Sequence, residues 1–266
     1  MKLGIEGKVA LVTGGARGLG KACAIALAEE GCRVVVTARR RASAEANAAS
    51  FKDMGVRVVA SDVTDAAQVD ALFETIRRDE GGVDILVYNT GGPPGSTFDA
   101  ATEKEHMLAY RMLILGYTWC VKQALADMTP RGWGRIVSLG SFVVKESRHD
   151  LPPHALHSIN RAGQMGLSKT ISNEVGKHGV TVNTIATGPF DNYPDSDAAQ
   201  RFRARAEREG LTDEELRAER AASVPMGRVG RPEEIGALCA FLASDSAGFI
   251  TGQTLVIDGG KSQAIL

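Results

Sequence analysis

Seven short, unbroken apolar runs recur along the chain, separated by longer stretches of mixed polarity: KVALVT (8–13), RVVVT (33–37), VRVVA (56–60), DILVY (84–88), GRIVSL (134–139), VTVNTI (180–185) and TLVID (254–258). Each is rich in β-branched residues and too short for a helix. Unbroken apolarity over such a length marks strands that are covered on both faces. The segments 18–31, 65–79, 103–128 and 157–178 are long enough to be the helices that cross between parallel strands. This alternation predicts an α/β fold: a doubly wound parallel sheet of about seven strands with helices on both faces.

No Pro/Ser/Gly-rich linker and no fixed-period repeat interrupts the pattern, so the chain reads as one domain over 1–266. Its 44% hydrophobic and 24% charged residues fit a globular chain with one substantial core. Regular alternation fails over 191–222, which is highly charged and poor in apolar residues. That stretch is expected to be a helical insertion, either a solvated flap or a lid over a ligand. A formal net charge of -1 gives no reason to expect nucleic acid or an anionic membrane as partner. No apolar run approaches the ~18 residues of a membrane helix and the N-terminus lacks a signal-peptide pattern, so a cytoplasmic setting is expected. Cys23, Cys32, Cys120 and Cys239 make no CxxC pair and read as small buried hydrophobes, with no metal site expected.

The first apolar run leads straight into TGGARGLG (13–20) and then into a helical stretch. Glycines at 14, 18 and 20 permit a tight turn, close approach of backbone to a pyrophosphate, and close packing of helix on strand. The helix N-terminus then faces the phosphates.

This loop fits the TGxxxGxG signature of the short-chain dehydrogenase/reductase family, and further segments match along nearly the whole length. Asp62-Val63 corresponds to the family's adenine-binding pair. VYNTGG (87–92) corresponds to its NNAG segment with Asn89 and Gly91 retained, and residues 225–260 follow its C-terminal pattern. The chain resembles this family, which implies a Rossmann-type fold and an oxidoreductase that moves hydride between a nicotinamide cofactor and a small alcohol or carbonyl. The resemblance places Gly14, Arg17, Gly18, Leu19, Gly20, Asp62, Val63, Asn89 and Gly91 against the cofactor, joined after the sixth strand by Gly188, Phe190 and Asn192. It also implies a homo-oligomer, a dimer or tetramer.

The charge near the adenine ribose decides which dinucleotide is used. An acid at the end of the second strand would bind a free 2′-hydroxyl, whereas arginine binds a 2′-phosphate. Here VVVTARRR carries no acid, and Arg17 sits inside the glycine loop. Arg17 and Arg39, with Arg40 as a substitute, favour NADP(H), with NAD(H) as the alternative; otherwise the cluster is a solvated surface patch.

The family's catalytic pattern is an asparagine, a serine, and a tyrosine and lysine spaced YxxxK. Ser141 in RIVSLGSFVV aligns with the serine, while Leu113 stands where the asparagine is expected. In HSINRAGQMG, His157 falls on the tyrosine and Arg161 on the lysine, one helical turn apart on one face. Arginine keeps the positive charge and adds to the field that disfavours imidazolium, so His157 is expected to be neutral, a competent base but a poor acid. Lys145, Glu146, His154, Tyr110 and Tyr117 are other groups near enough in sequence to offer a proton. NTGGPPG (89–95), with the altered tetrad, resembles members labelled 3-oxoacyl-carrier-protein reductase-like.

Two readings stand at this point. In one, Ser141 orients a substrate and His157 and Arg161 act in modified catalytic roles. In the other, the fold binds NADP(H) as a catalytically impaired sensor or scaffold.

Overall fold

The computed structural model describes residues 2–147, 154–191, 193 and 196–264. Seven strands, β1 (Val9–Val12), β2 (Arg33–Ala38), β3 (Arg57–Ala60), β4 (Ile85–Tyr88), β5 (Gly134–Ser141), β6 (Val180–Thr187) and β7 (Thr254–Ile257), form one sheet in the order β3-β2-β1-β4-β5-β6-β7. Every pairing is parallel; Leu11 of β1 lies opposite Val35 of β2 on one side and Leu86 of β4 on the other. The chain winds outward from β1 to β3, then returns to the centre at β4 and winds the other way. The reversal leaves a crevice at the carboxyl ends of β1 and β4, where such sheets bind ligands.

The connections are α1 (Gly18–Glu29), α2 (Arg41–Ala48), α3 (Ala66–Glu80), α4 (Glu103–Tyr110), α5 (Gly116–Arg131), α6 (Ala155–Val175), α7 (Asp197–Glu209), α8 (Asp213–Ala222) and α9 (Pro232–Leu242). Successive strand residues point to opposite faces, so each strand feeds two cores. Ala10, Val12, Val34, Val36, Ile85 and Val87 pack on one side against Cys23 and Leu27 of α1 and Ile235 and Cys239 of α9. Leu11, Val35, Leu86 and Ile136 pack on the other against Val69, Phe73 and Ile76 of α3 and Cys120, Val121 and Ala124 of α5. All four cysteines are buried and unbridged.

Two features depart from the simple pattern. The apolar residues of α2 are all alanines, so it shows no clear apolar face; Ala44 and Asn47 alone are buried in it. The 103–128 segment is not one regular helix: Arg111–Leu115 forms a π turn between α4 and α5. This turn leaves the Met112 carbonyl free to accept from the Tyr88 hydroxyl at 2.5 Å. Gly116 follows because nothing larger fits: a Cβ there would stand 2.5 Å from the Val63 carbonyl oxygen and 2.6 Å from the Tyr88 hydroxyl.

Within the charged 191–222 stretch, α7 and α8 are both capped by hydroxyls. Ser196 Oγ accepts from the Ala199 N–H at 3.0 Å, and Thr212 forms a reciprocal box with Glu215. Few of their described residues are buried; Ala199, Ala206 and Leu216 are. No described helix is long and apolar enough to cross a membrane.

Candidate active site

A cavity of about 410 Å³ opens at the crevice, bounded by the loops that follow β1 to β6 and by the start of α7. At its centre the glycine loop is stitched to the end of β4. Thr13 Oγ1 donates to the Asn89 carbonyl at 2.9 Å, Asn89 Nδ2 donates to the Gly14 carbonyl at 3.1 Å, and the Gly14 N–H donates to Thr37 Oγ1 at 3.0 Å. Gly14 holds φ +55, and a Cβ on it would lie 2.9 Å from the Asn89 carbonyl oxygen. The α1 N-terminus therefore opens bare into the cavity, as an anion requires.

Gly14, Arg17, Gly18, Leu19, Arg39, Arg40, Asp62, Val63, Asn89, Gly91 and Arg161 all line the cavity. Asp62 is the sole acid among the lining residues, and its Oδ1 already accepts from the Thr64 N–H at 2.9 Å and the Thr64 hydroxyl at 2.8 Å. The remaining charged groups of the lining are the arginines 17, 39, 40, 161 and 201.

Gly20, Ser141, His157, Gly188 and Phe190 stand just outside that wall. Gly20 supports the loop from beneath, where a Cβ would meet Asn89 Nδ2 at 2.5 Å. Ser141 ends β5, next to the lining residue Gly140. His157 lies behind Gly92, with Nε2 3.2 Å from the point where a Cβ on that glycine would be. Gly188 donates its N–H to the Ile257 carbonyl at 2.9 Å, and Phe190 is buried against Gly230. Asn192 lies outside the described residues.

The electrostatics at the β5–β6 end are one-sided. Arg161 is buried, with Nη1 donating to the Leu139 carbonyl and, at 3.3 Å, to Gln164 Oε1. Burial pulls its pKa down to about 10, so it stays charged at neutral pH. Burial first, then the fields of Arg161, Arg201 and His154, push His157 down to about 4. The imidazole is therefore neutral at physiological pH. Arg161 Nε, Gln164 Nε2, His157 Nδ1 and Thr90 Oγ1 are buried with no hydrogen-bond partner in the protein. Two of these residues, Thr90 and Arg161, line the cavity, and orphaned polar atoms at a cavity are the mark of a site that a polar ligand completes.

The other proton-bearing groups are occupied or remote. Tyr117 is buried, shares a hydrogen bond of 2.8 Å with Ser168 Oγ, and is raised to about 12 by burial. His154 shares a hydrogen bond of 3.1 Å with Ser147 Oγ, while Glu146 accepts from the N–H groups of Gln263 and Ala264. Lys145 is exposed, and Tyr110 is 42% exposed on α4. Leu113 is fully buried inside the π turn. Ser138, on the inner part of β5, is tied to Thr184 Oγ1 at 2.8 Å. Among the described residues no cluster of His, Cys, Asp or Glu could hold a metal ion.

Several lining residues went unassigned in the sequence, Arg201 and Thr90 among them. Arg201 is one charge among many in 191–222, and Thr90 is a small polar residue in a loop; their placement comes from how α7 and the β4 loop fold over the crevice.

A doubly wound parallel sheet with a glycine loop at its switch point defines a dinucleotide-binding oxidoreductase. The family described as enoyl-(acyl carrier protein) reductase matches residues 14–262, and the chain belongs to the short-chain dehydrogenase/reductase family, in its 3-oxoacyl-carrier-protein-reductase-like part. Among its relatives is 3-oxoacyl-[acyl-carrier-protein] reductase FabG of Haemophilus influenzae, 36% identical over 256 residues, which covers 96% of this chain and 98% of that one. The L-sorbose reductase of Gluconobacter frateurii, solved in complex with NADPH and L-sorbose, superposes with a TM-score of 0.91 at 29% identity over 100% of both chains. YwfH, an NADPH-dependent reductase involved in bacilysin biosynthesis, superposes with a TM-score of 0.86 at 28% identity, covering 98% of this chain and 100% of that one.

Proposed function

We propose that the chain is an NADP(H)-dependent oxidoreductase of small alcohols and carbonyls whose proton-transfer residue is a neutral histidine. The observation that carries this reading is the lining of the cavity: a bare helix N-terminus at its centre, arginines at the adenosine end and no free carboxylate to repel a 2′-phosphate. The relatives solved with NADPH, or described as depending on it, support the same choice.

Arg39 and Arg40, with Arg17, would hold the 2′-phosphate, Asp62 and Val63 would flank the adenine, and Gly14, Gly18, Leu19 and Gly20 would cradle the pyrophosphate. Asn89, Gly91 and Arg161 would border the nicotinamide ribose, with Gly188, Phe190 and Asn192 in supporting places beyond it. When bound, the nicotinamide supplies a hydride acceptor or donor. Ser141 orients the substrate oxygen. In alcohol oxidation His157 Nε2, with the ring hydrogen on Nδ1, accepts the hydroxyl proton as the C–H hydride departs, which leaves a carbonyl. The Arg161 guanidinium stabilises the developing alkoxide and destabilises imidazolium, so the proton must pass on to solvent. In this arrangement oxidation is favoured over reduction at neutral pH.

The α7–α8 pair acts as the lid of this single domain. A homo-oligomer is supported by exposed apolar side chains on neighbouring helices: Met107 and Leu108 of α4 are 49% and 43% exposed, and Ile159 of α6 is 61% exposed. The buried, unbridged cysteines suit a cytoplasmic setting. A second reading, binding without turnover, is favoured by Leu113, which cannot relay a proton where the family has an asparagine.

The two readings separate in an NADP⁺-reduction assay over a panel of secondary alcohols and hydroxy acids at pH 8. Turnover that Ser141→Ala abolishes, with NADPH affinity intact, supports the enzyme. Tight NADPH binding with no turnover on the panel supports the sensor.

A further inference from the structure

The lining charges divide unevenly along the cavity. Arg17, Arg39 and Arg40 lie at the ends of β1 and β2, where a dinucleotide's phosphates would take them up. Arg161 lies with Leu139, Gly140 and Thr187 at the ends of β5 and β6. In the sheet order β5 and β6 stand two and three strands from β1. At ~4.8 Å per strand that is roughly 10–14 Å from the glycine loop. Neutral ribose and carboxamide groups, rather than phosphates, belong at that end.

Arg201 of α7 lines the cavity as well. The N-cap of α7, Ser196, sits 3.6 Å from the position of a Cβ on Gly18, and Arg201 follows five residues later, about 7 Å along the helix. Arg201 lines the cavity and contributes to the positive field at His157. It makes no ion pair or hydrogen bond among the described residues. Among the described residues, Glu146 accepts from the backbone of Gln263 and Ala264, and Asp191 faces Arg217 at 4.0 Å. Two guanidiniums, one buried, thus act on His157, while the sole lining carboxylate, Asp62, stands at the end of β3 bonded to Thr64, and Arg161 keeps an orphaned Nε. An uncompensated positive field in a low-dielectric cleft selects an anion.

We infer that the catalytic end takes an anionic substrate, a small oxo- or hydroxy-carboxylate, and that Arg201 on α7 pairs with its carboxylate. The inference rests on the NADP(H) reading above and adds the charge class of the substrate to it. It also gives α7 a purpose, to carry a counter-charge for the substrate over the cavity.

The test uses the whole protein saturated with NADPH. Acetoacetate, 2-oxobutanoate and 4-oxopentanoate are titrated beside their methyl esters, with the change in NADPH fluorescence and the thermal midpoint as readouts. At least one carboxylate should bind about tenfold more tightly than its ester, Arg201→Gln should abolish that preference, and Arg201→Lys should retain most of it. NADPH affinity should stay within about twofold in both variants. If every ester binds as well as its acid, or Arg201→Gln keeps the preference, the inference fails. If Arg201→Gln instead weakens NADPH itself about tenfold or more, the arginine serves the cofactor and the inference fails. If wild-type protein does not bind NADPH at all, the NADP(H) reading fails and the inference with it, a result distinct from the other three.

Discussion

At His157, burial and two guanidiniums hold the imidazole neutral down to about pH 4. Two consequences can be measured. The base form is already present throughout the neutral range, so the alcohol-oxidation profile should show no imidazole step near 6.5; His157→Gln should lower kcat by at least about 10²-fold while leaving NADPH affinity unchanged. The second consequence concerns stability. The folded-state pKa lies below the ordinary 6.5, so between about 4 and 6.5 the unfolded chain binds more protons than the folded one. Stability is therefore lost as pH falls through that window and is fully present above it. In urea titrations at pH 7 and pH 5, His157→Gln should lose less stability on acidification than wild type. Equal losses would mean that the histidine is not buried as described. Positions 141, 157 and 161 were singled out by the resemblance to the family's serine and YxxxK pattern. Their burial was not legible, because it depends on Leu139, Gln164 and Gly92 packing around them from three separate elements.

At the scale of elements, the strands and the glycine loop were legible because a strand covered on both faces must be continuously apolar, and the structure places all seven within a few residues of their predicted bounds. The π turn was not legible. It exists because the Tyr88 hydroxyl, carried on β4 from a distant part of the chain, takes the Met112 carbonyl, and Gly116 makes room for that contact. Local sequence holds no record of such a partner. The same geometry predicts that Gly116→Ala destabilises the fold by about 1–3 kcal/mol in urea unfolding, since both the Val63 carbonyl oxygen and the Tyr88 hydroxyl lie within 2.6 Å of the added carbon. An unchanged urea midpoint would mean that the turn relaxes freely. The α2 helix went unseen for a simpler reason: a segment whose apolar residues are all alanines offers little periodicity to read.

At the scale of the whole molecule, one sheet brings the β1, β4 and β5 ends together, so residues some 150 positions apart in sequence, Gly14 and Arg161, border one cavity. The exposed apolar side chains of α4 and α6 predict self-association. Light scattering should give a dimer or tetramer for the wild type, and Ile159→Glu should shift it towards smaller species; a wild-type monomer would leave that patch to another purpose. The arginines at the ends of β1 and β2 bear on the central claim that this is an NADP(H)-dependent protein. Parallel fluorescence titrations with NADPH and NADH test it most directly, on the wild type and on Arg39→Ala combined with Arg40→Ala. NADPH should bind at least about tenfold more tightly than NADH to the wild type, and the double variant should lose most of that difference while still binding NADH. Equal affinities, or no binding of either nucleotide, would contradict the assignment.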